Sequence, residues 1–393
     1  MAGSLRTDRL SSLFQNYTVI DLRQPRQRRR LIFFLIAGTL EVVLFAMGGF
    51  RVEEYMNTPQ FCGQFCHKVM KPEYTAYQNS PHARVSCVAC HIGSGAEWQV
   101  KMKLTGIGQA VATAMNTYPR PLPSPVIHLR PARETCETCH WPQKVSDDRL
   151  RIYRRYGLTE KNEASISALA LKVGGGGEGE AKGIHWHVSS QIWYLPLDRR
   201  RQDIGWLAFR RPDGTTEELF RADQRRPELE ARLPGEKRLM DCIDCHNRAT
   251  HVFRSPEELV DKALTTGQLD GTLPYIKKKS LEALTPPEKA QANISALPDF
   301  YRSSYPNLYR EKEGAINQAI VKLREIADLT YFPEMKVNWK TYPNNVGHTD
   351  SPGCFRCHGQ KFVNVEGTER TIDGSCNLCH YSVPKEALAS SGK

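Results

Sequence analysis

Residues 242–246 read Cys242-Ile243-Asp244-Cys245-His246, and the C-x-x-C-H pattern returns at Cys87/Cys90/His91, Cys136/Cys139/His140, Cys354/Cys357/His358 and Cys376/Cys379/His380. A sixth copy is one residue longer, Cys62-Gly63-Gln64-Phe65-Cys66-His67. The six pairs use all twelve cysteines, so none is left for a separate disulfide framework. C-x-x-C-H is the attachment pattern of c-type haem: the thiols add to the porphyrin and the adjacent histidine reaches the iron. Zinc hooks do not demand a histidine after every pair, and a thioredoxin-like pair occurs once, near a βαβ pattern. Repetition decides between them. The expectation is six covalently attached haems with His67, His91, His140, His246, His358 and His380 as proximal iron ligands.

Working outward, residues 1–30 are polar and end in a basic run containing Arg23, Arg26, Arg28, Arg29 and Arg30. Residues 31–50 are mostly apolar and as a helix would span about 30 Å, enough to cross a bilayer. Arginines on the N-terminal flank predict a cytoplasmic N-terminus and an exported bulk. The span reads as an uncleaved anchor; a cleaved signal peptide would have a shorter apolar region, and only Ala46-Met47-Gly48 resembles a cleavage site. Glu41 lies near mid-span, where a carboxyl is costly and points to a function or a membrane partner.

The rest divides into a motif-dense region at 51–145, an insertion at 146–240 and a C-terminal region at 241–393 with the last three motifs. The insertion opens with helix-compatible sequence, passes a glycine-rich run and then shows strand-like pieces. Residues 191–197 and 204–210 alternate as strands do, and Pro212-Asp213-Gly214 signals a turn. Residues 281–330 carry helical periodicity with Ser280 as a candidate cap. The fold class expected is mainly α with extensive coil: a multihaem cytochrome c with one transmembrane helix and a small β-rich insertion. Regular structure is expected to be sparse, because haem faces replace much of the side-chain core.

Six histidines stand outside the motifs: His82, His128, His185, His187, His251 and His348. A low-spin electron-transfer haem takes a second axial ligand, commonly histidine or methionine, so these are the distal candidates. In Gly183-Ile184-His185-Trp186-His187-Val188, strand alternation would put both histidines on one face, one serving haem II and the other haem V or VI.

Residues 31–145 and 240–255 resemble the NapC/NirT/NrfH family of membrane-anchored quinol-oxidising cytochromes. The likeness rests on Asn57-Thr58-Pro59-Gln60-Phe61-Cys62, Cys66-His67-Lys68-Val69-Met70, Tyr74, Tyr77 and Ser80-Pro81-His82 ahead of motif II. It continues in Cys242-Ile243-Asp244-Cys245-His246-Asn247-Arg248-Ala249-Thr250-His251. The resemblance implies His82 as distal ligand of haem IV and His251 of haem III. It makes Met70 the candidate ligand of haem I, although this chain reads C-H-x-x-M where the family has C-H-x-M; Met56 is the alternative. It also implies a basic residue of a quinol pocket at Lys101 or Lys103, which could equally snorkel at the bilayer surface. The family's acidic residue after that lysine is missing, since no Asp or Glu falls between Glu97 and Glu134. A proton acceptor would then be Glu97, Glu53 or Glu54. Haems V and VI extend the four-haem pattern.

The formal net charge of +11 would ordinarily suggest nucleic acid or an acidic membrane. Six haems would bring roughly twelve propionates, which offset the excess and remove nucleic acid from the expected partners. Three functions compete. The first is oxidation of membrane quinol with relay of electrons to a periplasmic or outer-membrane redox protein. The second is an electron-wire subunit beside a polytopic partner that holds the quinone site. The third is a terminal reductase, which needs an open iron position that the supply of spare histidines does not force. The expected location is the bacterial inner membrane, single-pass, with the haem domain in the periplasm.

Overall fold

The computed structural model describes residues 22–93, 95–126, 130–141, 147–174, 183–211 and 213–384, without the side chains of His67 and Ala96. His128 lies outside the described residues. The chain forms two compact units, one ending at Phe61 and the other beginning at Cys62.

The first unit is helix α1, Pro25–Met56, which starts with a proline at a position where no helical N–H is needed. Its 32 residues exceed the apolar 31–50 stretch because the arginine run joins the helix. It is long and apolar enough to cross a membrane, and none of its residues is buried. Glu41, Phe33, Phe34 and Phe45 all point outward.

The longer motif, whose Cys62 opens the second unit, is wound as a π-type turn over Phe61–Phe65. A π turn is an α turn widened by one residue, so it absorbs the extra residue between Cys62 and Cys66. Gly63 is required there, since a Cβ would lie 2.1 Å from the Tyr74 ring. Helices α2 (His67–Gln78), α3 (Cys87–His91), α4 (Ala96–Ala114) and α5 (Ala132–Cys136) follow.

The start of the insertion is a β-hairpin, not the helix expected: β1 (Arg149–Tyr156) pairs antiparallel with β2 (Ala164–Leu171). Hairpin closure rests on Asn162, whose backbone takes a φ of 50°. Its amide donates to the Gly271 and Leu273 carbonyls. Asparagine tolerates this left-handed conformation, and tertiary contacts thereby override local helix propensity. A second surprise is α6, Trp186–Ser189, a helical turn where alternation predicts a strand. The expected strands do form as β3 (Trp193–Pro196) and β4 (Ile204–Arg210), followed by β5 (Thr216–Arg221), α7 (Arg226–Glu236) and β6 (Arg238–Leu239).

Motif IV is α8, Cys242–Cys245, capped by Asp241 and Asp244 in a reciprocal capping box. Beyond it, helices α9 (Pro256–Thr265), α10 (Ile276–Leu284), α11 (Ala290–Ser295), α12 (Leu297–Ser304) and α13 (Pro306–Thr330) build a side-chain core without cysteine. On α13, Ile316, Ala319, Leu323, Ile326 and Ala327 recur at three- and four-residue spacing and are all buried. Ser280 is not a cap: it is buried inside α10, and Tyr275 stands at the N-cap. Regular structure is therefore denser than expected, because this segment supplies an apolar core of its own.

Strands β7 (Tyr331–Phe332) and β8 (Val337–Asn338) lead to motif V, and β9 (Lys361–Asn364) and β10 (Glu369–Thr371) follow it. Motif VI is α14, Cys376–Cys379, continued by β11, His380–Ser382. The six-stranded sheet runs β10-β9-β5-β4-β3-β6, so strands from the insertion and from beyond motif V share one sheet. Strand β11 joins the hairpin beside β2, with His380 opposite Leu171.

Candidate functional site

Four of the six histidines outside the motifs each face a motif histidine. His251 faces His91 with ring centres 6.2 Å apart, His82 faces His140 at 5.9 Å, His187 faces His358 at 5.8 Å and His348 faces His380 at 6.2 Å. A metal–imidazole bond is about 2.0 Å, and a ring nitrogen sits about 1.1 Å from its ring centre, so two rings on one metal stand about 6.2 Å apart. All four gaps match within a few tenths of an ångström. The separations fit one iron between the two rings of each pair. The residues present thus suit haem on an observation of this chain's own geometry.

Local structure orients each ring. On the loop after motif IV, His251 Nδ1 lies 3.0 Å from the Glu73 carbonyl on α2, which directs Nε2 the other way. Glu73 also receives the Arg248 guanidinium at 3.1 Å, and both side chains are largely buried. His187 Nδ1 lies 2.7 Å from the Ile184 carbonyl, and His358 Nδ1 is held by the Asp373 carbonyl. His82 sits on the turn after α2, where Tyr77 Oη donates to the Ala83 carbonyl at 2.7 Å and Ser80 meets Thr250 at 2.8 Å. Burial first, and the neighbouring His251 ring second, hold His91 below the ordinary histidine range. Burial likewise lowers His187 and His251. The neutral imidazole favoured in this way is the form that ligates a metal.

Two partners differ from those the resemblance implies, each by one motif. His82 meets motif III instead of IV, and His251 meets motif II instead of III. The cause is α2: Glu73 holds His251, and the same helix leads directly into His82, so both rings stay near the early motifs. At motif IV the spare histidine whose charge acts on the motif histidine is instead His185. Desolvation lowers His246 most, followed by the charges of His185 and His140.

The motifs adjoin one another in chain order. Cys62 and Cys87 share a thiol hydrogen bond that brings Cys62 down to about 7 and pushes Cys87 up. Cys90 feels the charges of Cys136 and Cys139, and Cys136 shares a thiol hydrogen bond with Cys242. Cys245 and Cys354 interact, and Cys354 in turn acts on Cys379. None of the twelve cysteines is paired in a disulfide, which leaves each one available for attachment to a prosthetic group.

Met70 is half-buried on α2, and Met56 ends α1. On α4, Lys101 Nζ stands 5.1 Å from the Trp98 ring centre, and Arg130 approaches the same ring at 5.9 Å. Arg130 is paired with Glu134 at 2.8 Å. The fold thereby links the Glu134 carboxylate, through Arg130, to the ring that Lys101 also approaches, although the sequence alone shows Glu134 only as the end of an acid-free stretch. The Arg130–Glu134 spacing of four residues on a basic-acidic pair was the available signal. Glu97 and Lys103 are exposed on α4. Val100, Leu104, Ile107, Val111 and Met115 form an exposed apolar stripe along the same helix. Glu53 and Glu54 belong to the other unit; Glu54 pairs with Arg51 at 2.9 Å.

Comparison with known proteins bears on the family. The model of the NapC/NirT cytochrome c family, N-terminal region, matches residues 24–121. Cytochrome c-type protein ImcH of Geobacter sulfurreducens is 42% identical over 374 residues, which is 93% of this chain and 73% of the relative. Cytochrome c-type protein NrfH of Wolinella succinogenes is 32% identical over 118 residues, 27% of this chain and 66% of that protein. No solved structure matches. With an apolar anchor helix, repeated haem-attachment motifs and a relative matched along most of its length, the chain belongs to the NapC/NirT family of membrane-anchored, electron-transporting c-type cytochromes.

Proposed function

We propose that the chain oxidises membrane quinol near motif I and relays the electrons through six haems, in chain order, to a periplasmic or outer-membrane redox protein. The observation that carries this reading is the succession of neighbouring motif cysteines from Cys62 to Cys379. A path of that order begins at Cys62, six residues beyond the end of the anchor helix, and ends in the C-terminal extension. Bound haem supplies one-electron redox chemistry at each step.

The chain's own residues have separate tasks. The twelve cysteines attach the groups, and the motif histidines with His82, His185, His187, His251 and His348 fix iron coordination. His67 and Met70 serve haem I, and His128 is the one remaining spare histidine. Quinol gives up two protons with its two electrons, so its site needs a proton acceptor. Lys101 and Arg130 against Trp98 form an aromatic, cationic surface suited to a quinol ring and its hydroxyl oxygens, with Glu134 one ion pair away. Glu97 and Lys103 flank it, and the apolar stripe of α4 suits the bilayer face.

The test is anaerobic mixing of the detergent-solubilised chain with a menaquinol analogue while haem absorbance is followed. Reduction within the turnover time is expected, slowed tenfold or more by Lys101→Ala with Lys103→Ala. If dithionite reduces every haem and quinol none, the chain is a wire for a partner that holds the quinone site. The outward-facing Glu41 in mid-span favours that second reading, because a partner subunit could satisfy it.

A further inference from the structure

The turn between Gly183 and Ser190 has no counterpart among the segments that carry the family resemblance, yet it places two histidines in two different sites. Gly183 has a φ of 145°, and a Cβ there would meet the Lys172 carbonyl oxygen at 2.7 Å. The Ile184 N–H donates to the Lys172 carbonyl at 2.8 Å, and the His185 N–H donates to the Val173 carbonyl at 3.1 Å. On its other edge the same stretch binds motif VI: the Lys172 N–H donates to the Cys379 carbonyl at 2.9 Å, and Lys172 Nζ reaches the Asn377 carbonyl at 2.6 Å. The turn is therefore anchored to motif VI through backbone bonds. Being helical, it sends residues two apart in different directions, whereas a strand would align them.

His187 takes one direction, with its Nδ1 held by Ile184 and its ring 5.8 Å from His358 of motif V. His185 takes the other. Its Nδ1 is buried without a hydrogen-bond partner, and the ring is near enough to His246 of motif IV for its charge to act there. Arg133 reaches into the turn as well, donating to the Val188 carbonyl from the helix that carries motif III.

We infer that this one turn supplies the distal iron ligands of two neighbouring haems, His185 to the haem of motif IV and His187 to the haem of motif V. It is then the joint through which the family's four-haem block is coupled to the two-haem extension. A shift of the turn moves both irons' ligands together, so haems IV and V respond as a pair. The ring planes also distinguish the sites. His187 and His358 stand at 77°, while His348 and His380 at motif VI are within 25° of parallel. Parallel axial imidazoles split the iron dπ orbitals and give a rhombic low-spin ferric EPR signal. Near-perpendicular ones leave those orbitals almost degenerate and shift the signal to high g.

This inference rests on the six-haem reading but not on quinol oxidation. Haem content per chain, measured first, checks the former: six haems keep that reading, and fewer would end it. EPR and carbon monoxide binding after dithionite reduction then test the turn on the full-length chain. His187→Ala and His185→Ala should each create one high-spin, carbon monoxide-reactive haem, and the double variant two. His187→Met should keep all haems low-spin while removing one high-g signal, which controls for misfolding. Pairing with the motif histidine identifies the haem: His185→Ala with His246→Ala, or His187→Ala with His358→Ala, should give one reactive haem or none, never two. The rhombic signal should survive every variant of the turn and vanish in His348→Ala. Two reactive haems in a same-site pair, only one in His185→Ala/His187→Ala, or loss of the rhombic signal in His187→Ala would each overturn the assignment.

Discussion

Residues 62–140 and 256–330 are stretches of nearly equal length that solve the problem of a core in opposite ways. The helical segment α9–α13 buries seventeen apolar side chains in one cluster, from Val260 to Ala327. The motif segment, among its described residues, buries only Val69, Ala76, Tyr77 and Ala132. Three haem motifs lie in residues 62–140 and none in residues 256–330. The difference teaches that side-chain burial and haem attachment substitute for each other as the source of apolar contact. One region can fold from its own sequence; the other needs the groups its cysteines carry.

Withholding haem should break the comparison most strongly. Chain produced without the haem-attachment machinery should lose amide-exchange protection over residues 62–140 almost completely, while α13 keeps protection within about tenfold of the mature protein. Hydrogen exchange read by mass spectrometry on both forms checks this. Equal loss in both regions would mean that the helical core leans on the haem region and has no stability of its own.

A smaller effect is expected inside the helical segment. Lys277 is almost fully buried, with its Nζ 2.9 Å from Asp261 and 3.2 Å from Glu257, and it donates to the Tyr156 carbonyl at 2.6 Å. Asp261 also receives the Tyr156 N–H, so this cluster fastens the β1 hairpin to α9 and α10. Asp261→Ala leaves a buried ammonium short of its main counter-charge and should cost about 3–5 kcal/mol. Urea unfolding followed by tryptophan fluorescence measures it. Replacing Lys277 and Asp261 together with methionine and leucine should recover most of the loss, since the apolar pair removes both charges at once. Neither change should alter the haem absorbance.

The two regions were also unequally legible. The motif positions follow from chemistry written in consecutive residues, and so do β3 and β4, whose alternation matches the period of a strand. The helical core showed itself as a 3.6-residue rhythm, with its first helix begun too late at Ser280. What escaped was set by contacts distant in sequence. The β1–β2 hairpin depends on Asn162 bonding to Gly271 and Leu273, more than a hundred residues away. The turn at His185 depends on Lys172, whose own partners belong to motif VI. Histidine pairing was hidden for the same reason: spacing along the chain says that a ring is spare, and only the fold says which motif it faces. Trp98, Arg130 and Glu134 became a cluster only once α4 and the segment before α5 were brought together.

The smallest expected effect concerns α4, which belongs to the motif region yet carries its apolar residues on the outside. Val100, Leu104, Ile107, Val111 and Met115 recur at three- and four-residue spacing, so they share one face of the helix. Such a stripe beside Lys101 and Lys103 has the composition of a helix lying in a bilayer surface, its lysines reaching the headgroups. Changing Leu104 and Ile107 to glutamate should lift about 1 kcal/mol of apolar contact from the lipid boundary, a roughly fivefold loss in local partitioning. If α4 presents the quinol site to the membrane, the apparent KM for quinol in vesicles should rise by that factor while kcat and the dithionite-reduced spectrum stay unchanged. The same variant in detergent, where quinol arrives without a bilayer, should behave as the unaltered chain. An equal defect in vesicles and in detergent would place the stripe against protein instead, and would make α4 one more case of a haem-region helix waiting for a partner to complete its core.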